Sequence, residues 1–223
     1  MPADILSVGF KKNNMTYCHW DHTSQINKHY HDQEWGVPLH DDLKQFECLS
    51  MEVMQCGLNW NIIINKREIF KRCFDGFDFD KIALYTDRDI DRIMKTEGMI
   101  KSIRKIEAVI NNAKCFQKIR WEFGSFDAYL WAYSGGKTIL YDKHDQGYIP
   151  VLNGLSKTIS QDLKKRGLKF LGPVVIYSHL QACGIINDHD KDCPRYRYIN
   201  ENYPTVQKKR DNEIGVQYFG NQI

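Results

Sequence analysis

The sequence predicts an all-α fold, a compact set of helices joined by short links. Three observations predict it. Apolar residues recur at spacings of three and four through seven segments. Glycine punctuates the connections, at Gly57, Gly76, Gly98, Gly124, Gly135, Gly136, Gly167 and Gly172. The single extended candidate, Thr138–Tyr141, is too short and isolated to build a sheet.

Taken in order, residues 1–14 are mixed and read as an N-terminal extension ahead of the first aromatic cluster. Segment 41–56 sets Leu43, Phe46, Leu49, Val53 and Met54 on one apolar face. Asp41 and Asp42 stand where a cap and favourable dipole charge belong. Segments 60–73 and 87–95 are the next helices. In 101–119 the stripe is Ile103, Ile106, Ile110 and Ala113, with Lys101, Arg104, Lys105 and Lys118 pointing the other way. Segments 125–132, 156–166 and 173–184 complete the helical domain, 15–204. Residues 205–223 read as a polar C-terminal tail in which Tyr218-Phe219 is a docking pair.

Composition bounds the function. The chain has 223 residues, a formal charge of +3 and 42% hydrophobic residues, which excludes wholesale disorder. No apolar run approaches the ~20 residues of a membrane span. The start, Met1-Pro2-Ala3-Asp4, does not read as a secretory signal, so a cytoplasmic protein is expected. Seven cysteines, an odd number, point to thiols or metal ligands rather than a disulfide framework. Two segments are basic on this nearly neutral chain. Residues 101–120 carry six Lys and Arg against Glu107, and 157–169 carry Lys157, Lys164, Lys165, Arg166 and Lys169 against Asp162. They suit phosphate contacts, and equally an ordinary solvated helix face.

Two pairs of residues have metal-ligand chemistry. Cys18 and His31 have twelve residues between them, and His189 and Cys193 are at i, i+4 spacing, which places both on one face of a helical turn. Two Cys and two His make a closed tetrahedral zinc set with no position left for substrate. His19, His22 and His29 are rival ligands near the first pair, and separate polar or buried residues remain an alternative.

A second cluster is aromatic and acidic. Residues 30–38 read Tyr-His-Asp-Gln-Glu-Trp-Gly-Val-Pro, and 52–60 read Glu-Val-Met-Gln-Cys-Gly-Leu-Asn-Trp. Trp20, Tyr30, Trp35 and Trp60 are the flat rings that a planar base needs for stacking. Glu52 falls on the apolar face of its helix, between Leu49 and Val53, where a carboxylate needs a partner, a raised pKa or a ligand. A solvated boundary Glu52 with core aromatics is the plainer reading of the same pattern.

These residues together resemble the 3-methyladenine DNA glycosylase I family, the zinc-containing branch of the helix-hairpin-helix glycosylases. The resemblance rests on Cys18-His-Trp20, Tyr30 to Pro38, Glu52, Gln55 to Trp60 and Lys66-Arg-Glu68. It continues through Lys165 to Pro173, Gln181 to His189 and Cys193, from about residue 16 to 195. It implies an enzyme that flips an alkylated purine, chiefly 3-methyladenine, out of double-stranded DNA and hydrolyses its N-glycosidic bond. It also implies one structural zinc on Cys18, His31, His189 and Cys193, and a monomer. Glu52 matches the acidic pocket residue, Tyr30, Trp35 and Trp60 the pocket aromatics, and Trp20 a neighbour of theirs. Thr96–Ile103 matches the hairpin, where Gly98 allows the turn and Lys101 with backbone N–H groups grips a phosphate. Gln55 and Leu58 fall near the DNA-intercalating residues.

The chain departs from the pattern at Val53, which replaces a small residue, at Asn59, which replaces Ser, and at Asn27, which replaces a tyrosine of some members. These changes bear on lesion preference and rate. They also motivate the main alternative, a zinc-stapled helix-hairpin-helix DNA-binding protein with altered or lost activity. A zinc hydrolase using Glu52 or Glu34 as base is disfavoured by four credible ligands. A helical interaction scaffold leaves the aromatics unexplained.

Overall fold

A computed structural model describes residue 18 and residues 24–142 and 149–209. The chain runs α1 (Gln25–Gln33), α2 (Asp42–Gln55), α3 (Trp60–Asn65), α4 (Arg67–Cys73), a 3-10 turn (Asp75–Phe77), α5 (Phe79–Ile82) and α6 (Asp87–Lys95). It continues with α7 (Ile103–Phe123), α8 (Phe126–Ala132), β1 (Thr138–Tyr141), α9 (Gly154–Lys165), α10 (Pro173–Ala182), α11 (Pro194–Asn202) and β2 (Thr205–Lys208). Among the described residues the predicted helical character holds, with two short strands added to it.

The caps follow local chemistry. Asp41 accepts from the Lys44 N–H and starts α2, as its position predicts. Asn153 and Ser156 cap each other at the start of α9, and Pro173 and Pro194 open α10 and α11 at the one turn that needs no N–H. The segment expected as one helix over 60–73 is two, because Lys66 leaves helical geometry at φ −100°, ψ 3°.

Helix α7 runs through the middle, packed by α2, α5, α6 and α8. Its Phe116 stacks on Phe126 at 3.8 Å and meets Phe46 of α2 edge-on at 4.9 Å. Three expectations about sidedness fail. Leu43 and Ile103, assigned to apolar faces, are 48% and 50% exposed. Lys105, assigned to the solvent side, is buried. Its ammonium donates to the Met54 and Cys56 carbonyls at 2.6 and 2.7 Å, so it caps the C-terminus of α2.

The strand Thr138–Tyr141, expected to be isolated, pairs in parallel with Thr205–Lys208, with Thr138 opposite Thr205. The first four residues of the segment read as a tail therefore belong to the folded domain. Residues 1–14, the rest of that tail from 210, and the Tyr218-Phe219 pair lie outside the described residues. No helix of the described residues is long and apolar enough to cross a membrane.

Candidate active site and metal centre

Two consecutive residues of α1 connect the two predicted clusters. Tyr30 turns toward α2 and α3, and His31 turns the other way toward the C-terminal segment. The helix is polar along its length, and its buried residues are Asn27, Tyr30 and His31. Side-chain bonds fix it in place. Ser24 caps it, and Asn27 donates to Asn61 of α3. Arg67 of α4 joins Glu34, just beyond α1, to Glu47 of α2 at 2.8 and 2.7 Å.

On the pocket side, the Tyr30 and Trp60 rings lie 5.3 Å apart, tilted by 41°. Both are buried. Trp60 is the first residue of α3, whose N-cap is Asn59, accepting from the Asn61 N–H at 2.7 Å. Asn59 thus takes the capping task that the serine it replaces would perform. Val53 is fully buried in the core.

Glu52 is 5% exposed, and its carboxylate has no side-chain partner among the described residues. Burial alone pushes its pKa up to about 8. Tyr30 and Cys48 lie close enough to feel its charge, and burial pushes both of those groups up as well. The carboxylate is therefore buried near the Tyr30 ring, with nothing among the described residues to neutralise it.

Gln55 ends α2, and the following turn carries Leu58, which is 38% exposed. A short turn, where the sequence expects the hairpin, links α6 and α7. Gly98 takes φ +76°, its carbonyl is held by Lys66 at 2.5 Å, and Lys101 is exposed. The backbone N–H groups of Gly98 and Lys101 have no acceptor among the described residues.

On the other side of α1, Cys18, His31, His189 and Cys193 come together, and one ligand atom from each lies within 4.8 Å of the others. The His189 Nδ1–His31 Nε2 distance is 3.2 Å. Cys18 Sγ lies 3.6 Å from His189 Nδ1, and Cys193 Sγ 3.6 and 3.8 Å from the two rings. A tetrahedron with sulfur at about 2.3 Å and nitrogen at about 2.0–2.1 Å from its centre has edges of roughly 3.3–3.8 Å, so the donor set fits a metal ion.

The outer contacts fit as well. The Asp32 carboxylate, 2.9 Å from His31 Nδ1, can only accept, and so can the Trp35 carbonyl, 2.9 Å from His189 Nε2. Each ring therefore donates outward and turns a lone pair inward. The Asp190 N–H points at Cys18 Sγ from 3.3 Å. Shared hydrogen bonding splits the two thiols, raising Cys18 and lowering Cys193. Gly184 makes the junction possible. At φ +76°, a Cβ there would stand 2.5 Å from the Pro38 nitrogen.

The remaining predicted residues are placed as follows. Trp35 lies edge-on to His189 at 4.5 Å and stacks with His31 at 6.3 Å, against the Cys/His cluster. His29, a rival ligand, is exposed and lines, with Tyr30, Glu34 and Arg67, a pocket of about 180 Å³. Trp20, His19 and His22 lie outside the described residues. Sequence reasoning missed Arg67, Asn61 and Lys105 as positioning groups. Of these only the Lys66-Arg-Glu68 motif gave a signal, and it carried no role.

Known proteins share this architecture. A family model described as Methyladenine glycosylase matches residues 20–196. The DNA-3-methyladenine glycosylase of Haemophilus influenzae is 37% identical over 179 residues, 80% of this chain and 97% of its own length. DNA-3-methyladenine glycosylase 1 of Escherichia coli is 35% identical over 182 residues, 82% of this chain and 97% of its own. The 3-methyladenine DNA glycosylase I of Staphylococcus aureus, solved to explain 3-methyladenine recognition, superposes with a TM-score of 0.76 at 37% identity. That match covers 82% of this chain and 97% of the other. With a family match over residues 20–196 and relatives 35–37% identical over about four fifths of its length, the chain belongs to the methyladenine glycosylase family.

Proposed function

We infer that the chain is a DNA repair glycosylase that removes alkylated purines, chiefly 3-methyladenine, and leaves an abasic site. The observation that carries this reading is Glu52, a buried carboxylate without a side-chain partner among the described residues, close enough to Tyr30 for that ring to feel its charge, with the Trp60 ring 5.3 Å from Tyr30. Such a site recognises a flat cation. N3-methylation gives the purine a positive charge, which the ring faces and the carboxylate favour together. A base inside a duplex is out of reach, so the nucleotide must be extruded first.

The charged purine is already a good leaving group. The C1′–N9 bond breaks with its electrons going to the base, which departs as neutral 3-methyladenine. Water adds at C1′ and its proton goes to solvent. Glu52 acts by recognition and electrostatics in this scheme, holding the adenine edge and the charge. Gln55, Leu58, Gly98 and Lys101 sit at the exposed end of α2 and on the hairpin, where a double-stranded DNA partner is expected to be gripped and opened.

The ion we assign to Cys18, His31, His189 and Cys193 is zinc, because two thiolates and two imidazoles at tetrahedral spacing suit it. All four ligands are buried, and Glu34 is engaged by Arg67. This supports a structural metal that ties α1 to the C-terminal segment, and disfavours a zinc hydrolase. We propose a monomer acting in the cytoplasm.

The test is chromatography of bases released from methylated DNA by purified protein. Release of 3-methyladenine with little 7-methylguanine is expected. Folded, zinc-loaded protein that releases no base would leave the alternative, a DNA-binding relative without activity.

A further inference from the structure

The turn 167–171 has no regular structure, yet side chains from two helices and from the turn after α2 hold its backbone. Asn112 of α7 brackets Lys169, accepting from its N–H at 2.8 Å and donating to its carbonyl at 3.0 Å. Asn111 donates to the Gly167 carbonyl at 2.8 Å. Ser160 of α9 donates to the Leu171 carbonyl at 2.6 Å. Cys56, in the turn after α2, approaches the Phe170 carbonyl at 3.8 Å. Phe170 is held at φ +62°, a region that bulky residues avoid. Such rigidity is typical of a loop that presents a group outward.

The turn also lies beside the two elements expected to touch DNA. Cys56 bonds back to the Glu52 carbonyl, one helical turn from the pocket carboxylate. Arg104, in the first turn of α7 after the hairpin, has its guanidinium 6.0 Å from the Phe170 ring. Arg104 and Lys169 are both exposed, and neither has an ion-pair partner among the described residues. Further along the same helix Arg120 is neutralised by Asp80. On α9, Arg166 is neutralised by Glu122 and Asp162.

We propose that Arg104 and Lys169, positioned by the clamped 167–171 turn, form an additional contact to the phosphodiester backbone of duplex DNA, separate from the hairpin. The inference rests on the glycosylase reading and adds a third side to the rim around the flipped base. Phe170 supplies the platform that orients the guanidinium. Asn112 fixes the Lys169 backbone, so the ammonium starts from one place.

The experiment is binding of a fluorescent duplex carrying a stable abasic analogue, measured by anisotropy across a salt series. The proteins are wild type, Arg104→Gln, Lys169→Gln and the double variant. Each single substitution is expected to lower the slope of log K against log salt by about one unit, and the double by about two. Single-turnover base release at saturating protein is expected to stay within about twofold of wild type, since neither residue enters the pocket. Equal melting temperatures check that the fold survives. A double variant with the wild-type salt slope would overturn the proposal while leaving the glycosylase reading intact. Wild type that neither binds the duplex nor releases base would overturn both.

Discussion

Replacing Glu52 with glutamine should make the protein more stable, and by an amount that depends on pH. Burial raises the folded-state pKa from 4.5 to about 8. A carboxyl group with a raised folded pKa holds its proton better when folded. The wild type therefore pays nothing below pH 4.5, and loses stability as pH climbs from there toward 8. Each pKa unit is worth about 1.4 kcal/mol, so the full loss is about 5 kcal/mol above pH 8 and about 3 kcal/mol at pH 7. Glutamine is isosteric and never ionises. Urea unfolding of both proteins at pH 5, 6, 7, 8 and 9 gives the difference directly. The variant's advantage should be under about 1 kcal/mol at pH 5 and widen steadily. An advantage that stays flat across the series would refute the argument that Glu52 is an uncompensated buried carboxylate. The same variant should release little 3-methyladenine, so stability and activity move in opposite directions, as expected for a site kept unsatisfied for its ligand.

Three other outcomes follow from the geometry. The kcat/KM for base release should rise with pH along a limb near 8, the pKa of Glu52 in the free enzyme, and Glu52→Gln should lack that limb. His179 is fully buried, has no partner for either ring nitrogen, and is lowered by burial to about 4. The unfolded chain takes up that proton below about 6.5 and the folded chain does not, so wild type loses up to about 3 kcal/mol as pH falls from 6.5 to 4. His179→Leu should remove the loss, and acid unfolding curves of equal steepness for the two proteins would count against it. Cys193→Ser should reduce bound zinc, measured by elemental analysis, and lower the melting temperature. Stoichiometric zinc in that variant would contradict the assigned ligand set.

The helices that the sequence revealed are those that bury an apolar stripe. Segments 41–56 and 87–95 appear within a residue or two of their expected ends, because hydrophobic burial and an acidic cap act locally. Helix α1 was hidden because the face it buries is made of Asn27, Tyr30 and His31. Helix α11 was hidden because Ile199 is its sole buried residue among nine. The pairing of β1 with β2 depends on residues more than sixty positions apart, which no local pattern encodes. Lys105 was misread because a charged side chain in a helix points to water unless something inside accepts its protons, and the open carbonyls at the end of α2 do so. The four candidate metal ligands and Glu52 were legible as residue types, and the family resemblance joined the four into one set. The placement of that set and of Glu52 on opposite sides of α1 was not legible, since it depends on a helix the hydropathy pattern conceals.

The two closures at the ends of the domain set an order on its assembly. Cys18 meets His189 and Cys193, and β1 waits for residues 205–208. A chain leaving the ribosome can fold its central helices early, because their contacts are close in sequence. The helix that carries Tyr30 cannot be fixed by its neighbour His31 until Cys193 has emerged. The fastening of α1 on its His31 side is therefore completed only after Cys193 has emerged, and a product truncated before that residue would keep Tyr30, Glu52 and Trp60 while α1 is held only by its contacts to α3 and α4.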